Sequence, residues 1–438
     1  MVAAVWVHRT LEVRAARRVA AWGSAFGLAG SAAAAVHAGA VPLAGAPPVV
    51  TTLFAGIIGI TAVLMSPVRD TRPDTFGRIL LLQSCTAAFA VSSNANALAA
   101  LWALAPLLVW LELRSREESR PAARVFAMYM VPSIACFALG AGLLQRGETA
   151  AAVALVAVAI AFREAVIPLH SWLPLLFERA PMGVAVAFVA PQIGVHAHLL
   201  LLADHLSPSS TALIASIGAL TALYGAAMGV AQTRTRRALG YLLMSQSGLV
   251  AFGLDTGGEV ARAGTLVAWW VVGVAVAAFA MATAALEARR GELSLLRPSG
   301  TFARVPRLAA AFLVTGLASV GLPGTLGFVA EDLLVQGSID PSPILAFVLI
   351  IATALNGITV VRNFFLLFTG STRHAGEQDL RPREVAALTL VLVTLLSLGV
   401  FPRLLLDRAT GTAEPDVAIS APVHPPVRRP PPGPAPPG

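Results

Sequence analysis

The chain reads as a series of long, continuous apolar runs separated by short polar loops that carry arginine. At 1.5 Å rise per residue, roughly 17–25 apolar residues suffice to cross the hydrocarbon of a bilayer as a helix. About 13 such spans are predicted, at 19-39, 50-65, 79-93, 97-112, 125-144, 150-172, 183-203, 211-231, 238-254, 262-286, 307-337, 342-368 and 385-405. The runs do not alternate apolar with polar, so membrane strands are not expected. The implied fold class is all-α, a polytopic membrane protein.

Two of the spans are interrupted by helix breakers. Pro168 falls in the run 150-172, and Pro323 with Gly324 falls in 307-337. Proline removes a backbone donor and clashes with the preceding turn. The breaks fall in the sixth and eleventh spans, an odd offset of five as an inverted pair requires, and corresponding interrupted helices in two halves are the sequence sign of an inverted repeat. The organisation predicted is N-terminal helices over 1-78, a first inverted repeat over 79-203, a second over 211-368, a C-terminal helix over 369-410, and a tail over 411-438. Nine of the last seventeen residues are proline, so the tail is expected to be extended and disordered.

Composition agrees with the pattern. The chain is 57% hydrophobic and 12% charged, with mean hydropathy +0.76, where a soluble protein carries about 25% charged residues. The formal charge of +8 does not point to nucleic acid, because all 31 basic residues are arginine and they cluster between spans. One set of loops holds Arg69, Arg72 and Arg78; then Arg114, Arg116, Arg120 and Arg124; then Arg234, Arg236 and Arg237. Further on it holds Arg289, Arg290, Arg297, Arg304 and Arg307, then Arg373, Arg381 and Arg383. The opposite loops carry only Arg146 and Arg262 before the C-terminal end. The positive-inside rule then predicts a multi-pass protein of a bacterial-type inner membrane, with its N-terminus cytoplasmic and its C-terminus outside. Arg9, Arg14, Arg17 and Arg18 precede an apolar run without a clear cleavage site, which reads as a first membrane helix rather than a removed signal. Cys85 and Cys136 lack metal or redox spacing and read as packing residues. No Gly-rich phosphate loop and no cysteine cluster is visible. The expectation is no cofactor, no metal and no catalytic site on this chain.

The segment AIAFREAVIPLHSWLP at 159-174 carries the chemistry. Arg163 and Glu164 lie near the middle of an apolar run, just before Pro168. Ionisable groups at that depth are costly unless paired or facing a wet cavity, which makes them functional candidates. The competing reading is a helix end whose charges lie among headgroups.

Three blocks together resemble one family, the antiporter-like proton-translocating membrane subunits of respiratory complex I (NADH:quinone oxidoreductase) and their relatives. Those relatives include Mrp-type cation/proton antiporters, membrane hydrogenases and DAB-type inorganic-carbon uptake complexes. The blocks are REAVIPLHSWLP at 163-174, QTRTRRALGYLLMSQSG at 232-248 and GLPGTLGFVAED at 321-332. The resemblance covers roughly residues 50-400. It implies fourteen helices, two inverted five-helix repeats, and a broken helix with a half-channel in each repeat. This chain reads as lacking the family's first helix.

The departures bear on function. Where the family usually has a buried lysine, five residues before the first break proline, stands Arg163, which in a protein effectively cannot lose its proton. The family's buried glutamate, carried by its fifth helix and so by the fourth span here, falls on Leu101, beside Trp102 and before Pro106. A family histidine falls on Phe188, while His196 and His198 lie beyond Pro191. Histidine titrates near neutral pH, so these two read either as proton relays or as satisfied core residues. The span 262-286 has no lysine in its interior. Glu331 falls where members carry Glu or Lys, followed by Asp332; both read either as an outer proton site or as loop acids. Ser245 and Gln246 are candidates to orient water, and His170 matches a family histidine after the first break. Arg362 reads as snorkelling to the interface or pairing with a carboxylate.

The resemblance implies a proton-conducting subunit of a larger complex, with protons or small cations, the lipid bilayer and further membrane and soluble subunits as partners. The proton-translocation candidates are Arg163, Glu164, His170, His196, His198, Ser245, Gln246, Glu331 and Asp332. The alternatives are a membrane anchor of an inorganic-carbon uptake complex with a degenerate proton path, and a cation/proton antiporter subunit.

Overall fold

A computed structural model describes residues 12–37, 47–68, 71–256, 258–300, 302–370 and 377–402. Among these the chain is helical, and no strand forms beyond one isolated bridge between Arg234 and Ser294. The helices are α1 (Val13–His37), α2 (Pro47–Met65), α3 (Pro73–Val91), α4 (Ala95–Arg114), α5 (Arg120–Gln145) and α6 (Thr149–Arg163). Three short helices follow, α7 (Trp172–Arg179), α8 (Met182–Val189) and α9 (Ile193–Leu201). The second half holds α10 (Pro208–Ala231), α11 (Thr235–Asp255), α12 (Glu259–Arg290), α13 (Pro306–Ala318), α14 (Leu326–Ile339), α15 (Pro343–Phe368) and α16 (Pro382–Val400).

Proline opens α2, α3, α5, α10, α13, α15 and α16, within their first two residues. The first-turn amide has no partner inside a helix, so a missing N–H costs nothing there. Eight apolar stretches among the described residues are long enough to cross a membrane: those of α2, α4, α5, α8 with α9, α10, α12, α15 and α16. The two shorter apolar helices are α6 and α13, which are the leading halves of the two interrupted spans. The protein is therefore a multi-pass membrane protein.

Helix α12 is the centre of the fold. Its apolar window is entirely buried, against α2, α8, α11, α13, α14 and α16. The outer helices instead expose large apolar side chains, among them Met128, Leu139, Ile344 and Phe347, as a lipid-facing surface does. Where α10 meets α11, a Cβ at Gly218 would stand 2.6 Å from the Phe252 nitrogen, so the backbones touch without side chains between them.

Charges on the arginine-rich side are tied down. Glu112 is completely buried, bonded to Arg78, to Arg116 Nε at 3.0 Å and to Thr75 Oγ1 at 3.0 Å. Arg289 pairs with Glu384 at 2.6 Å, and Arg290 with Glu377 at 2.7 Å.

The sequence reading needs two corrections. Helix α6 stops at Arg163, five positions before Pro168, rather than at the proline itself. The reason is a capping motif that closes the helix earlier. The span 183-203 is not continuous, because Pro191 and a left-handed Gln192 (φ 44) separate α8 from α9. The proline-rich tail 411-438 and Arg9, Arg69 and Arg373 lie outside the described residues.

Candidate functional site

The first break is built by a reversal of the backbone at Ala165. The Glu164 N–H donates to Ile160 O at 2.8 Å, and the Val166 N–H reaches back to Ala161 O at 3.0 Å. Ala165 sits in the left-handed region (φ 56), and the six-to-one bond across it is a Schellman closure. The Ile167–Pro168 peptide is cis. The second break ends in the same way. The Leu322 N–H donates to Leu317 O at 2.9 Å across Gly321 (φ 83), and α14 resumes at Leu326. Glycine takes that conformation without a Cβ penalty, whereas Ala165 does not.

The two charged residues at the first break point different ways. Arg163 is 4% exposed. Its guanidinium lies 4.2 Å over the Phe188 ring and 5.0 Å over the Trp102 ring, and it donates to Trp102 O at 3.4 Å. Among the described residues it makes no salt bridge. Its charge is held by π faces and a carbonyl.

Glu164 instead crosses to the third break. Its Oε1 accepts the Gly194 N–H at 2.8 Å, in the first turn of α9. That helix starts there because Pro191 has no N–H and Gln192 is left-handed. Its free amides and dipole favour a carboxylate. Glu164 and Gly194 line a cavity of about 150 Å³ with Ile167, His198 and Ser247. His198 stands one helical turn after Gly194, on the same face of α9. Its Nε2 lies 3.1 Å from Asp255 Oδ1, and both side chains are buried. Asp255 Oδ2 is buried and has no protein partner among the described residues.

Asp255 escaped the sequence reading. It is the last residue of α11, and an acid at the end of an apolar span reads as a loop residue. Its significance comes from His198 of α9, 3.1 Å away, a contact that nothing in the sequence signals.

The other candidates scatter around this line. His196 is two residues from His198, on a different face, with Phe89 at 6.1 Å and Trp269 at 6.2 Å between ring centroids. His170 stands edge-on to Tyr224 at 5.0 Å. Ser245 Oγ donates to Ala222 O at 2.8 Å and accepts from Asn356 Nδ2 at 2.8 Å, which joins α10, α11 and α15. Gln246 Nε2 is buried without a partner among the described residues. Gln192 Nε2 donates to Ser247 Oγ at 3.0 Å. The Glu331 carboxyl packs against Gly321 at the second break, and its buried Oε1 has no hydrogen-bond partner among the described residues. Asp332 is exposed and accepts from Gln336 Nε2 at 2.8 Å. Arg362 donates to the carbonyls of Gln232 at 3.1 Å and Leu295 at 3.4 Å. The structure therefore joins Glu164 with His198 and a residue not foreseen, Asp255, and leaves Glu331 at a separate break.

Interrupted helices that close on buried ionisable side chains, in a multi-pass helical bundle, are the class of membrane fold this chain adopts. Residues 125–356 match the family "NADH:quinone oxidoreductase/Mrp antiporter, TM", and the chain belongs to it. It is 31% identical over 259 residues to NADH-quinone oxidoreductase subunit M of Pseudomonas aeruginosa, covering 57% of this chain and 50% of that one. It is 34% identical over 255 residues to NADH-quinone oxidoreductase subunit 13 of Thermus thermophilus, covering 56% of this chain and 53% of that one. These matches span about half the length of the curated relatives. In fold it is similar to a chain of respiratory complex I from Thermus thermophilus, with TM-score 0.82 and 23% identity over 93% of this chain and 96% of that one. It is likewise similar to a chain of the Mrp complex from Dietzia sp., with TM-score 0.79 and 16% identity over 93% and 92%.

Proposed function

We propose that the chain is a proton-conducting membrane subunit of a larger complex, with its path built on Glu164, His198 and Asp255. The observation that carries this reading is the cavity that Glu164 shares with His198, which is itself bonded to the buried Asp255. A carboxyl, an imidazole and a second carboxyl alternate along the line, each able to take and give a proton. The cavity of about 150 Å³ is lined mostly by apolar side chains, and a water bridging the first two would have Glu164, His198 and Ser247 as its side-chain partners.

Arg163 sets the sign of the local field and does not relay, because its guanidinium keeps its proton. The matching Schellman closures at Ala165 and Gly321 support two inverted repeats within a bundle of about 13 spans. The arginine asymmetry supports a cytoplasmic N-terminus in a bacterial-type inner membrane. Relatives named as subunits of quinone oxidoreductase and Mrp complexes support membrane and soluble partner subunits, with protons or small cations as the cargo.

A second reading is a membrane anchor whose proton path is incomplete. It is favoured by the interior of α12, which has no ionisable side chain between Arg262 and Glu287. An anchor of an inorganic-carbon uptake complex would fit it.

The test is a proton-flux assay. The purified chain is placed in liposomes with an internal pH dye, a membrane potential is imposed, and the flux is compared with that of Glu164→Gln and Glu331→Gln. Flux above empty liposomes that Glu164→Gln abolishes supports the relay. No flux from either the chain or the complex co-purified with it favours the anchor.

A further inference from the structure

Arginines flank the turn between α4 and α5, and five of them divide into two groups. Arg78 from α3 and Arg116 turn inward to the buried Glu112. Arg114, Arg120 and Arg124 turn outward and line a pocket of about 620 Å³ with Trp110, Ala123, Ala127 and Met128. Arg114 and Arg124 make no salt bridge among the described residues. Arg120 pairs with Glu117 at 3.7 Å, and both side chains are exposed, so that pair contributes little. The acids of the turn, Glu117 and Glu118, are both exposed.

The polarity of the pocket follows one direction. Along α5, Arg120, Arg124, Met128 and Val131 fall on one face, spaced four, four and three residues apart. The first two are charged, and the last two are apolar and 71% and 62% exposed. Along α4 the order is the same: Arg114 at the end, Trp110 one turn in with the guanidinium 5.0 Å over its ring, then the exposed Leu107. Both helices therefore present cations at the loop and apolar side chains toward the bilayer interior, and α4 adds an aromatic, Trp110, at the boundary. A soluble anion needs only the first of these. A molecule with an anionic head and two acyl chains uses all three.

We propose that this pocket binds an anionic phospholipid, with its phosphate among Arg114, Arg120 and Arg124 and its acyl chains along Met128, Val131 and Leu107. The forked guanidinium groups suit phosphate oxygens, and the charge excess selects against zwitterionic headgroups.

Native mass spectrometry of the purified chain tests this, titrated with phosphatidylglycerol, phosphatidylcholine or inorganic phosphate. The pocket variant is Arg114→Gln with Arg120→Gln and Arg124→Gln. The control is Arg297→Gln with Arg304→Gln and Arg307→Gln, which removes the same charge elsewhere on the same side. We expect phosphatidylglycerol to bind the wild type and the control at least about tenfold more tightly than the pocket variant. Arg124→Gln alone, at an exposed position, should fall between them. Equal retention of phosphatidylcholine, unchanged binding by the pocket variant, or full competition by millimolar inorganic phosphate would each overturn the proposal. So would a protein subunit cross-linked through position 128 in native membranes, since it would cover the acyl-chain track.

Discussion

The carboxylate of Glu164 accepts the backbone N–H of Gly194 at 2.8 Å, so one break in the helical bundle is fastened to another. The contact needs a residue without a side chain. A Cβ at position 194 would lie 2.6 Å from Glu164 Cγ and 2.9 Å from Cδ. Gly194→Ala is therefore expected to push the carboxylate out of its place at the helix start while leaving its chemistry intact. Liposome proton flux should fall as far as in Glu164→Gln. The overpacking should cost about 1–3 kcal/mol, read as a lower thermal midpoint in detergent. Wild-type flux in Gly194→Ala would remove this contact from the path.

The His198–Asp255 pair can be separated from a merely structural bond by a double-mutant cycle. Its 3.1 Å contact is buried, and Asp255 keeps one oxygen without a protein partner among the described residues. His198→Gln and Asp255→Asn can each keep a hydrogen bond but cannot pass a proton in the same way. Each single variant should lose most of the flux, and the double variant should lose little more, since members of one path act as a unit. Additive losses would place the two residues on different routes.

Ala165 holds a conformation that costs an L-residue with a Cβ roughly 1–2 kcal/mol. Glycine would relieve this, less about 0.4–1 kcal/mol for the greater freedom of the unfolded chain. Ala165→Gly should therefore stabilise by about 0.5–1 kcal/mol, seen as a raised midpoint in a thermal scan. The comparison Gly321→Ala should go the other way, for it adds a Cβ both at φ 83 and against the Glu331 carboxyl. If Ala165→Gly is neutral or worse, the backbone there is not strained.

Glu112 is held by arginines, where Glu164 accepts a backbone amide. It has Arg78, Arg116 and Thr75 around it and no exposure. Glu112→Gln would remove the buried carboxylate that Arg78 and Arg116 share; breaking a buried pair costs up to about 3–5 kcal/mol, less here because Arg78 keeps Asp74 at 2.9 Å. Thermal unfolding should drop steeply, while any flux remaining in folded protein should be unchanged. Lost flux with retained stability would give Glu112 a part in conduction.

Most of the architecture was legible because membrane spans announce themselves by length and apolarity. The two breaks were legible because Pro168, Pro323 and Gly324 stand inside such runs. The exact end of α6 was not, since it depends on a left-handed alanine that no composition rule favours. The break at Gln192 was also hidden, because Pro191 lies in a run apolar enough to pass as one helix. Site residues divide in the same way. Glu164 was found from its depth in an apolar run, whereas Asp255 was missed, since an acid at a span end acquires meaning only when a histidine from another helix packs on it.

Arg163 offers a prediction of opposite sign to Glu112. Its guanidinium is buried between Phe188 and Trp102 with a single carbonyl acceptor and no salt bridge among the described residues. Two aromatic faces return about 2 kcal/mol or more when desolvated, against several kcal/mol for taking the ion out of water. Arg163→Met keeps much of the volume and removes the charge, so it should leave stability equal or raised. If the arginine serves only packing, flux will follow stability and stay unchanged. If its fixed charge sets the field at Glu164, flux in Arg163→Met will change while the thermal midpoint does not fall. Arg163→Lys, which restores a cation that can lose its proton, should then recover part of that change. A marked loss of stability in Arg163→Met would instead mean that the ring contacts and carbonyl bond outweigh the burial of the charge.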